Sequence, residues 1–552
     1  MSRMSPNIID LGLPPLTSPQ APEFTDAPTC RDWLAGLPLT NIGQAQIRLL
    51  RQINLFNRHP LPVGTRLEIL ELLCAPINFI QEQSAKHYAG RPLPLSEAGQ
   101  AAFDASLTLW QELETGYLHC LQASLDGATE LAESPHLHAA LAATRALSSL
   151  LAIYLDHCRA NILPTPMFWR RLHLVYRAAE ELKISQLPVD NGVRHKTTPA
   201  SVYAELLLLE AATPLELRPR QLALVADWAQ RWSGKVEILR KPPDDSRTAA
   251  LCVDLAGEQA GAFQAPLAAN AELRWLELSR LRKSLKKRLV LLEQGELPEA
   301  LGLGKGCVQP ACEVLLKQVY RCWCKGGRKR GTESARTAPR GKEHCQLVAG
   351  VEAIHYFLSG QVFRKPDQPV YLSRREHEEI ATFGRIATRF GEGKSQPHDF
   401  MLEEWLLLNE TAAELQLERS LKQPGGRLSG NQLVAVRQSG NEGFLLGILR
   451  WVAMNDGRDC LLASVRTLPG APVAAALRNS AAKPATNSTQ YSQGLCLPAV
   501  EELGEVASVL TPTGWFSPGK IIEAQIDCLR KMRLNRLLER GEGFERIAFE
   551  WL

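Results

Sequence analysis

No stretch of this chain approaches the ~20 consecutive apolar residues that a membrane-spanning helix needs. The opening MSRMSPNIIDLGLPPLTSPQAPEF has neither the basic nor the apolar region of a secretory signal. Net charge is also scarce. The 63 Lys and Arg against 59 Asp and Glu leave a formal +4, too little for a globally basic nucleic-acid binder, so any electrostatic function has to be local. Catalytic motifs are missing as well. His377-Glu378-Glu379 has no second histidine at zincin spacing and no G-x-S-x-G elbow occurs. Gly302-Leu303-Gly304-Lys305-Gly306 lacks the order of a phosphate loop and follows a helix. With the histidines dispersed, nothing assembles a nucleophile, a base and an orienting group. These absences predict a cytoplasmic protein that is not an enzyme.

A disulfide framework is not expected from the thirteen cysteines, an odd number scattered along the chain. Cys74, Cys120 and Cys158 sit in apolar helical runs, where a reduced thiol acts as a small hydrophobe. Cys307, Cys312, Cys322 and Cys324 lie near His344 and Cys345, but C-x4-C and C-x-C are poor zinc spacings, and buried helical thiols account for them better. No metal site is assigned.

What is present is ordinary globular composition, 45% apolar and 22% charged over 552 residues, which at about 150 residues per domain implies several units. Residues 1–38, rich in Pro, Ser and Thr without apolar period, read as a disordered tail. Residues 39–326 read as a helical domain. TRLEILELLCAPINFIQEQSAKHYAG, SEAGQAAFDASLTLWQELETGYLHCLQASL and PMFWRRLHLVYRAAEELKIS repeat apolar residues three and four apart, with Thr40, Ser96 and Ser134 as N-caps. No fixed repeat period emerges, which favours an irregular helical domain over a solenoid. Trp110, Tyr117, Trp169 and Tyr176 fall at helical spacing and are assigned to the core. Two short strands are expected near 236–255, after which helical character resumes through AELRWLELSRLRKSLKKRLVLLEQG.

Beyond residue 327 the texture changes to short Val, Leu and Ile runs divided by Gly, Asn, Asp and Pro, the pattern of a small antiparallel barrel over 327–552. A helical insertion is expected near 363–395. Further strands from Gly494 to Phe549 either complete that barrel or form a second one. The fold class is therefore multidomain α+β: an N-terminal all-α domain followed by a C-terminal antiparallel β-barrel.

Charge is concentrated just ahead of the barrel. Between Lys317 and Lys342 there are nine Lys or Arg, among them Arg328, Lys329, Arg330, Arg336 and Arg340, against the single acid Glu333. Such a run is either a solvated linker or an anion site. Arg336-Thr-Ala-Pro-Arg340 leads directly into the strand CQLVAG. Guanidinium forks held there can bind phosphate oxygens in pairs, meet the O6/N7 edge of guanine, or stack on a base. Downstream, WLLLNETAAELQLERS carries Asn409, Thr411 and Glu414 in a turn between two apolar halves, where Asn and Thr side chains can offer hydrogen bonds.

An Arg-x-x-x-Arg pair before a small barrel, followed by an Asp/Asn-x-Ser-x-x-Gly turn, resembles the PilZ domain, a bacterial receptor for cyclic di-GMP. GFLLGILRWVAMNDGRDCLLASV also resembles the core strands of that family. The similarity covers residues 328–480 and none of the helical region. It implies that Arg336 and Arg340 grip the guanines and phosphates of cyclic di-GMP, that Asn409 and Thr411 contact the base or shape the turn, and that Arg328, Lys329 and Arg330 add charge. It further implies a protein partner reached through the helical domain, of the motility, pilus or exopolysaccharide machinery. Thr411 stands where the family has Ser, and Glu414 stands where it has Gly, so that a carboxylate faces a phosphate-rich ligand. About seventy residues separate the two motifs, more than in a compact PilZ domain. Arg385/Arg389 and Arg536/Arg540 share the arginine spacing. Arg336/Arg340 is preferred because a strand follows it and room remains for a second strand before Asn409. The rival expectations are a nucleotide-free interaction scaffold, favoured by Glu414, and a nucleic-acid binder, for which the aromatic interleaving is thin, confined to Tyr320 and Trp323.

Overall fold

Order begins earlier than the Pro-rich leader suggests. In the computed structural model, which describes residues 9–17, 20–127, 134–190, 196–243, 250–263, 271–326, 343–363, 400–441, 443–479 and 491–552, a helix α1 spans Ala27–Ala35. It lies inside the stretch expected to be disordered. Asp26 starts it by accepting from Thr29 N at 2.9 Å while the Thr29 hydroxyl answers back to the Asp26 amide, a capping box that local composition conceals. Leu11 and Phe24 are buried, so apolar anchors outweigh the prolines around them.

The described residues divide into two units, 1–332 with 453–458, and 333–452 with 459–552. The first unit is helical: α2 (Ile42–Phe56), α3 (Val63–Ala85), α4 (Glu97–Leu125), α5 (Pro135–Ala160), α6 (Pro166–Glu181), α7 (Pro199–Ala211), α8 (Pro219–Ser233), α9 (Ser279–Glu293) and α10 (Ala311–Cys324). Ser96 caps α4 as its position predicts, accepting from Gly99 N at 3.2 Å. Asn41 rather than Thr40 caps α2, and Ser134 precedes α5 without a side-chain cap bond. α4 and α5 form the centre, and the buried alanines 139, 140, 142, 143 and 146 of α5 allow close approach. Gly116 has the same use in α4, since a Cβ there would meet Leu70 Cδ2 of α3 at 2.7 Å. α5 does reach the length and hydropathy of a membrane span, contrary to the expectation above. However, 67% of that window is buried inside the unit.

Trp110, Tyr117, Trp169 and Tyr176 are all buried, and Trp110 Nε1 donates to Asp156 Oδ2 at 3.0 Å. A hairpin β1 (Val189–Asp190) and β2 (Lys196–Thr197) is followed by β3 (Glu237–Leu239), β4 (Leu251–Asp254) and β5 (Leu273–Glu277). The last three form one sheet in the order β3-β5-β4. Its central strand lies in residues expected to be helical; Leu273–Glu277 has a pairing partner on each side, and that non-local ladder outweighs local helix preference. Cys307 and Cys312, expected to be free thiols, form a disulfide across a turn that brings their Cα atoms to 5.1 Å.

The second unit contains two closed barrels, the second of the two alternatives open for the strands after Gly494. The first comprises β6 (Glu343–Ala349), β7 (Glu403–Thr411), β8 (Glu414–Ser420), β9 (Leu433–Gln438), β10 (Leu445–Met454) and β11 (Cys460–Thr467), in the order β10-β11-β8-β7-β6-β9. The second comprises β12 (Val473–Asn479), β13 (Ser492–Leu497), β14 (Ser508–Pro512), β15 (Ile521–Gln525), β16 (Leu529–Arg540) and β17 (Phe544–Trp551), in the order β12-β13-β14-β17-β16-β15. Closing the first barrel between β9 and β10 leaves it no free edge, so later strands cannot extend it and must pair among themselves. A helix α11 (Val351–Ser359), not expected from sequence, buries Ile354 against β6, β9, β12 and β13. One apolar cluster consequently runs from Leu433, Leu446 and Ile448 of the first barrel to Leu495, Leu510 and Phe544 of the second.

One helical residue gives a test of this packing. Burial holds the Glu205 carboxyl neutral, pushed up to about 8, whereas it ionises near 4.5 when exposed. Its stabilising neutral form is fully present below the exposed value and is lost as pH rises through about 8. Glu205→Gln should therefore match wild type in melting temperature at about pH 5 and exceed it progressively towards about pH 9; a constant difference would refute the assignment.

Candidate functional site

The hairpin β7–β8 holds the three polar residues singled out downstream of the basic run, though on its strands and not in the turn expected for them. Thr411 pairs with Glu414, which leaves only Ala412 and Ala413 as the turn, and Asn409 lies on β7 opposite Gln416. The register shifts between Leu407 and Asn409, so Leu408 is the extra residue of a bulge and is 43% exposed. A bulge re-aims the residues beyond it. Here it leaves Leu407 facing the barrel interior with Leu417, while Asn409, Thr411 and Glu414 share the outer face with Gln416. Glu410 points to the interior side and accepts from Gln438 Nε2 at 2.9 Å.

Thr411 and Glu414 are already engaged. The Thr411 hydroxyl donates to Glu414 O at 3.2 Å and accepts from Ala413 N at 3.4 Å, which braces the tight turn. Glu414 Oε2 pairs with Arg450 Nη1 at 3.0 Å, and its Oε1 accepts from Ser464 Oγ. The carboxylate expected to repel a phosphate-rich ligand is thus balanced by a guanidinium from β10 and a hydroxyl from β11. Asn409 is half-buried and its amide makes no hydrogen bond among the described residues. Arg450 and Ser464 were not singled out from sequence. The signal for Arg450 was a lone cation within GILRWV, which reads locally as a surface position of an apolar strand.

Arg328, Lys329, Arg330, Arg336 and Arg340, and the alternatives Arg385 and Arg389, lie outside the described residues. Arg536 and Arg540 lie on β16 of the second barrel. The chain re-enters the described residues at Glu343, the first residue of β6, which pairs with Leu407 directly before the bulge. Cys345 faces inward from the same strand, and burial pushes its thiol up to about 12. It behaves as core.

At the opposite end of the same hairpin the interior is closed by charge. Glu403 accepts from Gly426 N at 2.7 Å and from Trp405 Nε1 at 3.1 Å, and pairs with Arg419 Nη1. The Arg419 guanidinium stacks 5.3 Å from the Trp405 ring centre and donates to Gly426 O at 3.1 Å. A Cβ at Gly425 would overlap that guanidinium, so only glycine fits. The end bearing Asn409 has no such plug among the described residues.

Three comparisons bear on the chain. Residues 28–245 match the family model described as "Cyclic-di-GMP receptor FimW, N-terminal domain", and residues 479–552 match "FimW C-terminal beta-barrel domain". The chain is similar to the protein named Cyclic-di-GMP receptor FimW of Pseudomonas aeruginosa, at 23% identity over 600 aligned positions that take in 100% of this chain and 94% of that protein. No solved structure matches. The two family models cover most helices of the first unit and β13 to β17, and the PilZ-like residues lie between them.

Removing Glu414 or Arg450 should take a charged contact from its partner in a partly buried setting, at a cost of about 1–2 kcal/mol. Urea unfolding of Glu414→Ala, Arg450→Ala and the double variant should show the two losses to be less than additive; strict additivity would mean that the pair does not couple.

Proposed function

We propose that this protein is a non-enzymatic, cytoplasmic receptor for cyclic di-GMP, holding the dinucleotide between the Arg336/Arg340 segment and the outer face of the β7–β8 hairpin. Its helical unit would relay occupancy to a protein partner, of the motility, pilus or exopolysaccharide machinery. The similarity to a protein named as a cyclic di-GMP receptor supports the ligand. The observation that carries the location is the register of β6. Glu343 pairs with Leu407, and Arg340 precedes Glu343 by three residues, a length of chain that spans at most about 11 Å. That short tether supports a site in which Arg340 meets the amide of Asn409, which makes no hydrogen bond among the described residues.

Two guanidiniums suit a ligand that offers both phosphate oxygens and the O6/N7 edge of guanine, because both accept paired N–H donors in one plane. Each such charge-assisted bond contributes about 1.5–3 kcal/mol. Fixing a Gly-rich linker residue costs about 1–2 kcal/mol, so binding can order only a few residues of the segment. The neutralised Glu414 removes the main electrostatic objection to the site.

Calorimetry with cyclic di-GMP tests the assignment. Wild type should bind, Arg336→Ala/Arg340→Ala should lose about tenfold or more in affinity, and Asn409→Ala should bind more weakly than wild type. Binding by wild type that is lost only in Arg385→Ala/Arg389→Ala would move the site to the other arginine pair. No heat with the wild-type chain would leave the nucleotide-free scaffold standing instead.

A further inference from the structure

The loop-and-helix segment after β5 carries charge and apolar surface in an arrangement that ligand binding at the barrel does not use. Helix α9 buries Leu281, Leu285, Leu289 and Leu292 on one side. On the other, Arg280, Lys283, Lys286 and Lys287 are exposed, at spacings that stack them along one face. Among the described residues none of the four has an ion pair or side-chain hydrogen bond. The remaining arginines of the helix are employed structurally: Arg282 Nη2 donates to Cys324 O at 2.7 Å, and Arg288 Nε to Leu301 O at 2.9 Å. Like charges three and four residues apart repel and weaken a helix, so this stripe is held only because the leucine face is packed.

Exposed apolar residues occur at one end of the same pair of helices. The Arg282–Cys324 bond joins the start of α9 to the end of α10, and Lys317 Nζ meets Glu293 Oε1 at 2.9 Å at the other extremity, so the two helices run antiparallel. At that second extremity Val290 is 43% exposed, Leu297 71%, Val308 68% and Val314 64%. The Cys307–Cys312 disulfide closes the turn that displays Val308.

We infer that the α9–α10 hairpin is a docking element for the surface of a bilayer rich in anionic phospholipid. Lysine ammonium groups are compact point charges suited to a headgroup layer that offers many phosphates without fixed geometry. The aliphatic side chains at the hairpin end enter the headgroup–acyl boundary, as on helices that lie on a membrane. An acidic protein would use the charges but not four unpaired aliphatic residues. A nucleic acid would need a stacking platform, and Trp323, the tryptophan of α10, is fully buried.

Sedimentation of the full chain with vesicles tests this. It should pellet with phosphatidylcholine vesicles containing about one-third phosphatidylglycerol and stay in solution with phosphatidylcholine alone. Lys283→Glu/Lys286→Glu/Lys287→Glu should lower partitioning by roughly tenfold or more. Leu297→Ser/Val308→Ser should lower the fraction bound that survives high salt, which screens the charges. Both sets of positions are exposed, and Lys283→Gln/Lys287→Gln replaces the triple variant if that one does not fold. Equal pelleting with both vesicle types, no pelleting, or pelleting unchanged by the lysine variants overturns the inference. So does lysine-dependent binding of a fluorescent single-stranded oligonucleotide with no vesicle binding.

Discussion

The second unit depends on the pairing of β6 with two neighbours at once. Its residues 345–349 bond to β9 and its residues 343–347 to β7, so this one strand closes the first barrel. Without it, β7 and β9 would each present a row of unpaired amides and carbonyls, an arrangement that invites wrong pairing. Closure also has a local consequence. The strand begins at Glu343, which the ladder sets opposite Leu407, directly before the bulge at Leu408. The same strand leads through Gly350, whose φ of +91° suits glycine, into α11 and the apolar cluster shared by both barrels.

Charge is handled in two ways. In the folded interior three buried guanidiniums are matched by acids: Arg419 by Glu403 and an aromatic face, Arg274 by Glu180 at 2.6 Å, Arg546 by Ser508 at 3.0 Å and Glu505 at 2.9 Å. Burying these groups unpaired would cost far more than any one contact returns. The Glu414–Arg450–Ser464 cluster belongs to this kind, which is why a carboxylate is tolerated at the start of β8. On α9, Arg280, Lys283, Lys286 and Lys287 are exposed without a partner among the described residues, where no interior constraint demands one. Unmatched charge on a rigid face is free for intermolecular use.

Much of this architecture was legible in residue order. The helices of the first unit follow from three-and-four spacing, and most strands of the first barrel follow from short β-branched runs, because both patterns record which face a local element buries. The apolar run 414–418 falls on the strand Glu414–Ser420, but the turn expected to hold Asn409, Thr411 and Glu414 consists of Ala412 and Ala413. The bulge was not, because an extra residue between Leu407 and Asn409 has meaning only against a partner strand. Strand β5 was misread for the same reason: AELRWLELS carries a helical period, and only its two neighbours make it a strand. Helix α1 was missed because its capping box is short and sits among prolines.

The sequence by itself determined the division into helical and β regions, the core aromatics, and the concentration of basic residues ahead of the first barrel. Each is a property of neighbours in the chain or of composition. Tertiary structure alone decided that the strands close into two barrels rather than one, that Glu414 faces Arg450 across two strands, and that Arg280, Lys283, Lys286 and Lys287 have no partner among the described residues. The reason is common to all three. Strand closure, ion pairing and exposure depend on groups far apart in sequence, and local periodicity reports which side of an element is buried but not what lies opposite.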